Sequence, residues 1–259
     1  MTSSPLPAAE SLHVGLTVTE APRSFALYRP AAEKHGDARF DESLPDMAAA
    51  NGPTACIWQA RQSLVVPRTY RRFEAFEAAC EDFSRKGWPV TVRQTGGGIV
   101  PQGPGIINLS LAYPVCGPAM RHSEPGYQLI CQLLSAALKK LGIDAYPAAV
   151  EGSFCDGRYN LAVTLQGMAV KIAGTAQMWR RIAGSQEGHV GLVHALVLVD
   201  ADTDAVTAAA NAFEAALGSG RRYLAERVVS IADLLSTPYG VVEAFIQSLE
   251  RSLDSPPDA

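Results

Sequence analysis

The spacing of apolar and polar residues divides the chain into strand-like and helical segments. Apolar residues at helical spacing predict helices over residues 38–50, 74–86, 126–141, 205–217 and 239–253. Apolar or alternating runs predict β-strands over residues 55–60, 63–67, 88–92, 106–113, 159–165, 168–177 and 189–199. The earlier run 12–18 predicts an edge strand or a partly ordered arm.

Short connections between these strands indicate how they pair. Two residues separate the run 55–60 from 63–67, and two separate 159–165 from 168–177. Connections of this length predict a β-hairpin in each case. Strands joined mainly by hairpins, with helices between the groups, favour an α+β fold in which helices flank a mixed, largely antiparallel sheet.

Composition and charge exclude several classes of protein. The 259 residues are 47% hydrophobic with a mean hydropathy of +0.05, which is typical of a globular chain with a sizeable core. A net charge of −4 gives no electrostatic case for nucleic-acid binding. No run approaches the ~20 apolar residues of a membrane span, and the first ten residues lack a signal-peptide pattern. We therefore expect a cytoplasmic monomer with one domain over 37–254, a partly ordered arm over 1–36 and a disordered tail over 255–259.

Cysteine and histidine spacing gives no sign of a metal site. The five cysteines contain no CxxC pair, so we expect free thiols, most of them buried. The five histidines show no metal-binding spacing. His189 and His194 share one apolar predicted strand and are interpreted as satisfied core residues.

A glycine-rich loop is the first candidate for chemistry. Gly96, Gly97 and Gly98 follow the predicted strand 88–92 and Arg93. Glycine lets backbone N–H groups approach a ligand closely, and arginine adds a permanent cation for a carboxylate or phosphate. A tight turn without any ligand has the same pattern, so the loop alone leaves both interpretations open.

A second segment, combined with this loop, suggests a family. The first segment is RQTGGGIV at 93–100, with Gly-Pro-Gly at 103–105 and Asn-Leu-Ser at 108–110. The second is GRYNLAV at 157–163, followed by KIAGTAQ at 171–177. Together they resemble the RxSGGGxV loop and the GxxDLxV…KIAGSAQ hairpin of the biotin/lipoate protein ligase and octanoyltransferase superfamily.

This resemblance implies a class II aminoacyl-tRNA synthetase/biotin ligase-like catalytic domain that cradles an acyl chain. An acyl chain needs an apolar slot with few polar groups at its mouth. Lys171 is the implied catalytic lysine, because a cation and loop amides stabilise negative charge on a carbonyl oxygen. The implied substrate-binding residues are Arg93, Thr95, Gly96, Gly97, Gly98, Gly103, Gly105, Asn108, Gly157, Asn160, Gly174, Thr175 and Ala176.

Cys155 suggests which reaction this domain catalyses. It lies in SFCDGRY at 153–159, which resembles the Ser-Tyr/Phe-Cys-x-Gly-x-Tyr stretch of cysteine-dependent octanoyltransferases and lipoyl amidotransferases. The resemblance implies a thiol that takes an octanoyl or lipoyl group as a thioester and passes it to a lysine, without a cofactor. The implied donor is octanoyl-acyl carrier protein or another lipoyl- or octanoyl-carrier protein. The implied acceptor is a lipoyl domain of a 2-oxoacid dehydrogenase or the glycine cleavage H protein.

Two alternatives stay open at this point. An ATP-dependent lipoate–protein ligase would form an acyl-adenylate with ATP and Mg²⁺ and would leave Cys155 idle. A non-catalytic acyl-binding module is the other alternative. It is suggested by Gln102, where many relatives carry a histidine, and by Asn160, where an aspartate is usual.

Overall fold

The computed structural model describes residues 21–30, 36–94 and 96–254. The predicted strand 12–18, Thr95 and the predicted tail 255–259 lie outside these residues. The strands are β1 (Ala26–Leu27), β2 (Thr54–Trp58), β3 (Ser63–Pro67), β4 (Val90–Arg93), β5 (Val100–Gln102), β6 (Ile106–Cys116), β7 (Tyr146–Pro147), β8 (Leu161–Leu165), β9 (Met168–Arg181) and β10 (Gly188–Leu198). The α-helices are α1 (Leu44–Asn51), α2 (Phe76–Arg85), α3 (Met120–Lys139), α4 (Thr203–Ala216), α5 (Ile231–Leu234) and α6 (Val241–Asp254).

The strands form two sheets. The larger has seven strands in the order β1-β2-β6-β10-β9-β8-β7, and all neighbours are antiparallel except β1 and β2. The smaller has the order β4-β3-β5, with β3 parallel to β4 and antiparallel to β5. The predicted α+β fold with a mixed, largely antiparallel sheet is therefore confirmed.

Helices cover both faces of the larger sheet. Helices α3 and α6 bury the main core on one face, and α1 packs against the other face through residues such as Leu44 and Ala48. Helix α3 lies close to the sheet at Gly126, where a Cβ atom would come within 2.9 Å of Gln177 Oε1 and 3.1 Å of Val193 Cγ2. The smaller sheet packs its own cluster against α2 and α4.

The predicted hairpin between 55–60 and 63–67 is wrong. Strand β2 pairs with β6 in the larger sheet, whereas β3 pairs with β4 and β5 in the smaller one. Both runs are almost wholly buried, so each has neighbours on both faces. Their patterns therefore carry no information on which strand lies beside them. The hairpin of β8 and β9 is confirmed.

Helix boundaries differ from prediction where proline is involved. Helix α3 begins at Met120 rather than Gly126 and contains Pro125 within its second turn. Pro45 lies in the first turn of α1, so it marks the true start of that helix. Among the described residues, no helix combines the length and the apolar character needed to cross a membrane.

Candidate active site

Four strands of the larger sheet form the floor of a site on the face opposite α3 and α6. Strand register aligns one row of side chains from β2, β6, β10 and β9: Cys56, Ser110, His194 and Ala176. A second row consists of Trp58, Asn108, Leu196 and Gly174. Because strand residues two apart share a face, both rows lie on the same side of the sheet.

A buried ion pair closes one end of this floor. Arg93 Nη2 donates to Asp41 Oδ1 at 2.6 Å, and Ser110 Oγ donates to Asp41 Oδ2 at 2.7 Å. His194 Nδ1 lies 3.3 Å from Arg93 Nη2 and 3.4 Å from Asp41 Oδ2. Arg93 and Asp41 are 3% and 0% exposed, so the pair is shielded from water.

The charges of this cluster follow from its burial. Burial alone would raise the pKa of Asp41, but Arg93 and His194 hold it below its ordinary value. Burial, aided by Arg93, lowers the pKa of His194 to about 3 despite the nearby Asp41 carboxylate. At neutral pH the cluster is therefore an ion pair beside an uncharged imidazole.

Gln102 and Asn108 form a second polar pair next to it. Gln102 Nε2 donates to Asn108 Oδ1 at 3.0 Å, and Asn108 Nδ2 donates to Gln102 Oε1 at 2.9 Å. Both side chains are buried. Gln102 cannot accept a proton as a histidine would, and its amide is held by this exchange.

The glycine-rich loop links β4 to β5 and passes beside Cys155. A Cβ atom added at Gly98 would lie 3.6 Å from the Cα atom of Cys155. The far end of the loop is anchored because the Ile99 N–H donates to Tyr70 Oη at 3.3 Å. Tyr70 in turn donates to the fully buried Glu214 carboxylate at 2.5 Å.

Cys155 itself lies in the loop between β7 and β8 in an unusual backbone conformation. Its φ angle is +52°, in the left-handed region that residues with a side chain rarely adopt. Its carbonyl oxygen accepts hydrogen bonds from Asn160 Nδ2 at 2.7 Å and Lys171 Nζ at 3.0 Å. The residue is half-buried, so the thiol group lies at the boundary between the protein interior and the cavities described below.

Lys171 supports this loop from inside the protein. Its side chain is fully buried, and Nζ also donates to the carbonyl of Phe154 at 2.5 Å. The register of β8 against β9 shifts by one residue beside Lys171, and Nζ reaches Gly174, where a Cβ atom would lie 3.0 Å away. Burial lowers the pKa of Lys171 to about 8, although Cys155 and Asp156 favour its charged form.

Two cavities meet at Cys155. The outer cavity, about 600 Å³, is lined by the glycine loop, Tyr127, Thr175 and the segment 221–223. The inner cavity, about 40 Å³, lies between Cys155 and the sheet floor. Its walls combine the apolar Val100 and Leu196 with polar groups of the two pairs described above. It is therefore less apolar than the slot expected from the sequence.

The structure brings most of the predicted site residues to these cavities. The outer cavity contacts Gly96, Gly97, Gly98, Cys155, Gly157 and Thr175. The inner cavity contacts Arg93, Asn108, Cys155, Gly174, Thr175 and Ala176. Lys171 and Asn160 lie behind Cys155 and contact its carbonyl.

Gly103 and Gly105 line neither of these two cavities. A Cβ atom at Gly105 would lie 2.1 Å from the carbonyl oxygen of Asp200, and the Gly105 carbonyl accepts from Val199 N and Asp200 N. Gly103 packs against Gln62 and accepts from Gln59 Nε2. These glycines allow close packing at the end of β10 and beside residues 59–62.

Sequence reasoning missed several residues of the site. Asp41 was not predicted as a site residue, because a single carboxylate within a helical pattern of apolar residues is typical of the solvent-exposed face of a helix. His194 is buried and has partners, as predicted, but it also lines the inner cavity. Arg221, Arg222 and Tyr223 line the outer cavity, and their distance from both motifs in the sequence concealed them.

Solved structures of lipoate-protein ligases share the fold of this chain. Lipoate-protein ligase A bound with ATP superposes with a TM-score of 0.60, at 19% identity, over 92% of this chain and 86% of that one. A bipartite lipoate protein ligase of Thermoplasma acidophilum, studied with its E2 lipoyl domain, gives a TM-score of 0.58 at 19% identity, over 91% and 84% of the two chains. At this identity the likeness shows the fold alone, which is the fold of these lipoate-protein ligases.

Sequence comparison then gives the family. Residues 37–254 match the lipoyl protein ligase A/B catalytic domain, and the chain belongs to that family. An uncharacterised protein of Cupriavidus necator is 49% identical over 211 residues, which is 79% of this chain and 83% of that protein.

Octanoyltransferases are also among the relatives. The octanoyl-[GcvH]:protein N-octanoyltransferase of Kyrpidia tusciae is 33% identical over 168 residues, or 63% of this chain and 56% of that protein. The enzyme of the same name from Geobacillus kaustophilus is 27% identical over 147 residues, or 56% and 50%. The match spans about half the length of these transferases.

Proposed function

We propose that this protein is an acyltransferase of protein lipoylation that uses Cys155 as its nucleophile. It moves an octanoyl or lipoyl group from a carrier protein, through a Cys155 thioester, to a lysine of a lipoyl-domain protein. The observation that carries the proposal is the position of Cys155, half-buried where the two cavities meet and next to the glycine loop.

The proposed reaction has two balanced steps. In the first, the Cys155 thiolate attacks the acyl carbonyl of the donor, which is a thioester on acyl carrier protein and a lysine amide on H protein. A new C–S bond forms, the old C–S or C–N bond breaks, and the carrier thiolate or lysine amine leaves and takes up a proton. In the second, a neutral lysine amine of the acceptor attacks the Cys155 thioester. The C–S bond breaks, the amine loses a proton, and an amide remains.

The surroundings of Cys155 support both steps. Loop amides at Gly96–Gly98 are available to negative charge developing on the carbonyl oxygen. Lys171 contributes a positive charge from behind the loop, because with a pKa of about 8 it is mostly protonated at neutral pH. The outer cavity, at about 600 Å³, falls in the range of small-molecule sites, so it can admit the arm of a carrier.

The size of the inner cavity limits what it holds. At about 40 Å³ it has room for about three water-sized groups. In the proposal it therefore receives the start of the acyl chain, and a longer chain requires its walls to separate or extends along the outer cavity.

Relatives suggest the identity of the partners. The names of the K. tusciae and G. kaustophilus enzymes specify an octanoyl-GcvH donor and a protein acceptor. We accordingly propose an octanoylated carrier, either the glycine cleavage H protein or acyl carrier protein, as donor. The proposed acceptor is a lipoyl domain, which is the kind of partner studied with the T. acidophilum ligase.

Acylation followed by mass spectrometry tests the proposal. The protein is incubated with octanoyl-H protein or octanoyl-acyl carrier protein without ATP, and in parallel with lipoate, ATP and Mg²⁺. We expect one octanoyl group per chain in the first incubation, located on Cys155 by peptide mapping and lost in Cys155→Ala. Cys116→Ala is the matched control, because Cys116 is also half-buried but lies at the far end of β6.

The other outcomes identify the alternatives. When a lipoyl-domain protein is added to both incubations as acceptor, lipoylation of it that needs ATP and proceeds in Cys155→Ala would establish the ATP-dependent ligase, with ATP and Mg²⁺ as its cofactors. Tight binding of the acyl group without transfer in either incubation would establish a non-catalytic module. Either result overturns the thioester route.

A further inference from the structure

The backbone of Cys155 lies outside regular secondary structure and is held by two side chains and one backbone N–H group. A φ angle of +52° is unfavourable for a residue with a Cβ atom, so it persists only where the surroundings impose it. Three donors converge on the carbonyl oxygen of Cys155: Asn160 Nδ2 at 2.7 Å, Lys171 Nζ at 3.0 Å and the backbone N–H of Gly157 at 3.0 Å. The Gly157 donor belongs to the same loop, so the two side-chain donors are the ones that tie this carbonyl, and with it the direction of the thiol, to the rest of the protein.

Lys171 cannot fix this carbonyl by itself. Its ammonium group is shared between two acceptors, and the shorter bond, 2.5 Å, goes to Phe154 rather than to Cys155 at 3.0 Å. The Asn160 bond to Cys155 is shorter, at 2.7 Å. The amide of Asn160 is thus the closest of the three donors to the cysteine carbonyl.

The amide group of Asn160 is fixed at both of its polar atoms. Its Oδ1 accepts from the backbone N–H of Thr175 at 3.4 Å, so the NH₂ group faces Cys155. Its own backbone is held by bonds to Gly157 and Ala148, and its side chain is 1% exposed. An aspartate of the same shape would accept from Thr175 equally well, but when ionised it has no hydrogen to give to Cys155.

We propose that Asn160 is a positioning residue that holds Cys155 in its left-handed conformation and so aims the thiol at the junction of the two cavities. This inference rests on the proposed function of Cys155. In this role the uncharged amide of Asn160 donates a hydrogen bond to the carbonyl of Cys155, which an ionised aspartate at this position could not do. Asn160 acts through Cys155 and has no contact with the outer or the inner cavity.

Two variants distinguish loss of the hydrogen-bond donor at Asn160 from loss of the side-chain shape. Asn160→Asp keeps the shape and loses the donor while ionised, whereas Asn160→Ala loses both. We expect the single-turnover rate of Cys155 octanoylation at saturating donor to fall by roughly tenfold to a hundredfold in both variants, because misplacement by about 1 Å costs on that order. The donor KM should change little, since no residue of either cavity is altered.

The pH dependence of Asn160→Asp provides a readout that loss of stability would not give. Iodoacetamide alkylation of Cys155 is measured between about pH 5 and about pH 8, across the range in which a carboxyl group gains or loses its proton. Once protonated, the aspartate can again donate to Cys155, so the ratio of wild-type rate to Asn160→Asp rate should shrink as the pH falls. For Asn160→Ala the ratio should stay constant. Lys171, Cys155 and Asp156 are present in all three proteins. Each alkylation rate is divided by the thiolate fraction of Cys155 measured at the same pH, so the charge of the introduced carboxylate does not enter these ratios.

Asn211 supplies a matched control. Its amide also bridges backbone groups, donating to the Tyr223 carbonyl at 2.8 Å and accepting from Tyr223 N at 2.7 Å. Asn211→Asp should lower the melting temperature but leave the alkylation ratio independent of pH. The inference would be overturned if both Asn160 variants were alkylated at the wild-type rate. It would also be overturned if the ratio of wild-type rate to variant rate were the same in both variants and did not change with pH. Alkylation needs no acyl donor, so it remains decisive even if Cys155 proves never to be acylated.

Discussion

The buried ammonium of Lys171 makes a quantitative prediction about stability. Its pKa in the folded protein is about 8, whereas the ordinary value is 10.5. Between these two pH values the unfolded chain binds a proton that the folded protein has released. Stability therefore rises with pH across this interval, and below it the folded protein bears the whole cost of the buried charge.

The magnitude follows from the same two values. Each pH unit between about 8 and 10.5 is worth 1.36 kcal/mol, so Lys171 alone should add about 3 kcal/mol to the free energy of unfolding. Buried thiols change the free energy of unfolding in the opposite direction. Burial raises the pKa of Cys131 to about 12, so at alkaline pH this thiol ionises more readily in the unfolded chain and stability falls as the pH rises. A variant that lacks the lysine is needed to isolate its share.

The assay compares wild type with Lys171→Met by urea unfolding at intervals from about pH 7 to about pH 10.5. The difference in free energy of unfolding between the two should shift in favour of wild type by about 3 kcal/mol over this range. Lys139→Met, on the exposed side of α3, is the control and should follow the wild type. Parallel curves for wild type and Lys171→Met would refute the reasoning, because they would mean that the ammonium remains hydrated in the folded protein.

Two further predictions concern the packing around the site. Arg93→Leu leaves the Asp41 carboxylate buried without its main partner, so it should lower the free energy of unfolding by about 3–5 kcal/mol in urea unfolding. The double variant Arg93→Leu/Asp41→Leu should recover most of this loss. A loss below about 1 kcal/mol in Arg93→Leu would show that the pair is solvated. Gly174→Ala places a Cβ atom 3.0 Å from Lys171 Nζ, which two carbonyls hold in place, so it should lower the free energy of unfolding by about 1–3 kcal/mol. Gly97→Ala has no atom within 4 Å of the new Cβ and is the control; equal losses in the two glycine variants would contradict the packing argument.

Local pattern predicted much of the fold. The apolar spacing of 205–217 predicted a helix that the structure has at α4, where Asp202 caps the first turn by accepting from Ala205 N. The two-residue connection at 166–167 predicted the pairing of β8 with β9. The equally short connection at 61–62 predicted a hairpin that does not form, because β2 and β3 belong to different sheets.

The candidate site was predictable only in part, for a related reason. Cys155, Lys171 and the glycine loop were identified because each lies in a contiguous motif. Asp41 and Tyr223 reach the site only through contacts between residues that are distant in the sequence. The sequence around each of them contains no motif that would identify it as a site residue. The mixed polarity of the inner cavity also depends on which strands are neighbours, since it is built from β6, β9 and β10 in register.

By itself the sequence determined the α+β class, the two motifs and the residue that could serve as a nucleophile, because these depend on neighbours within a few positions. The tertiary structure alone decided where the motif residues lie and what they contact. It turned Asn160 and Lys171 toward the carbonyl of Cys155 rather than toward a cavity, and it assigned Gly103 and Gly105 to packing. Hydrogen-bond direction and burial are set by groups that are distant in the chain, so no local pattern can encode them.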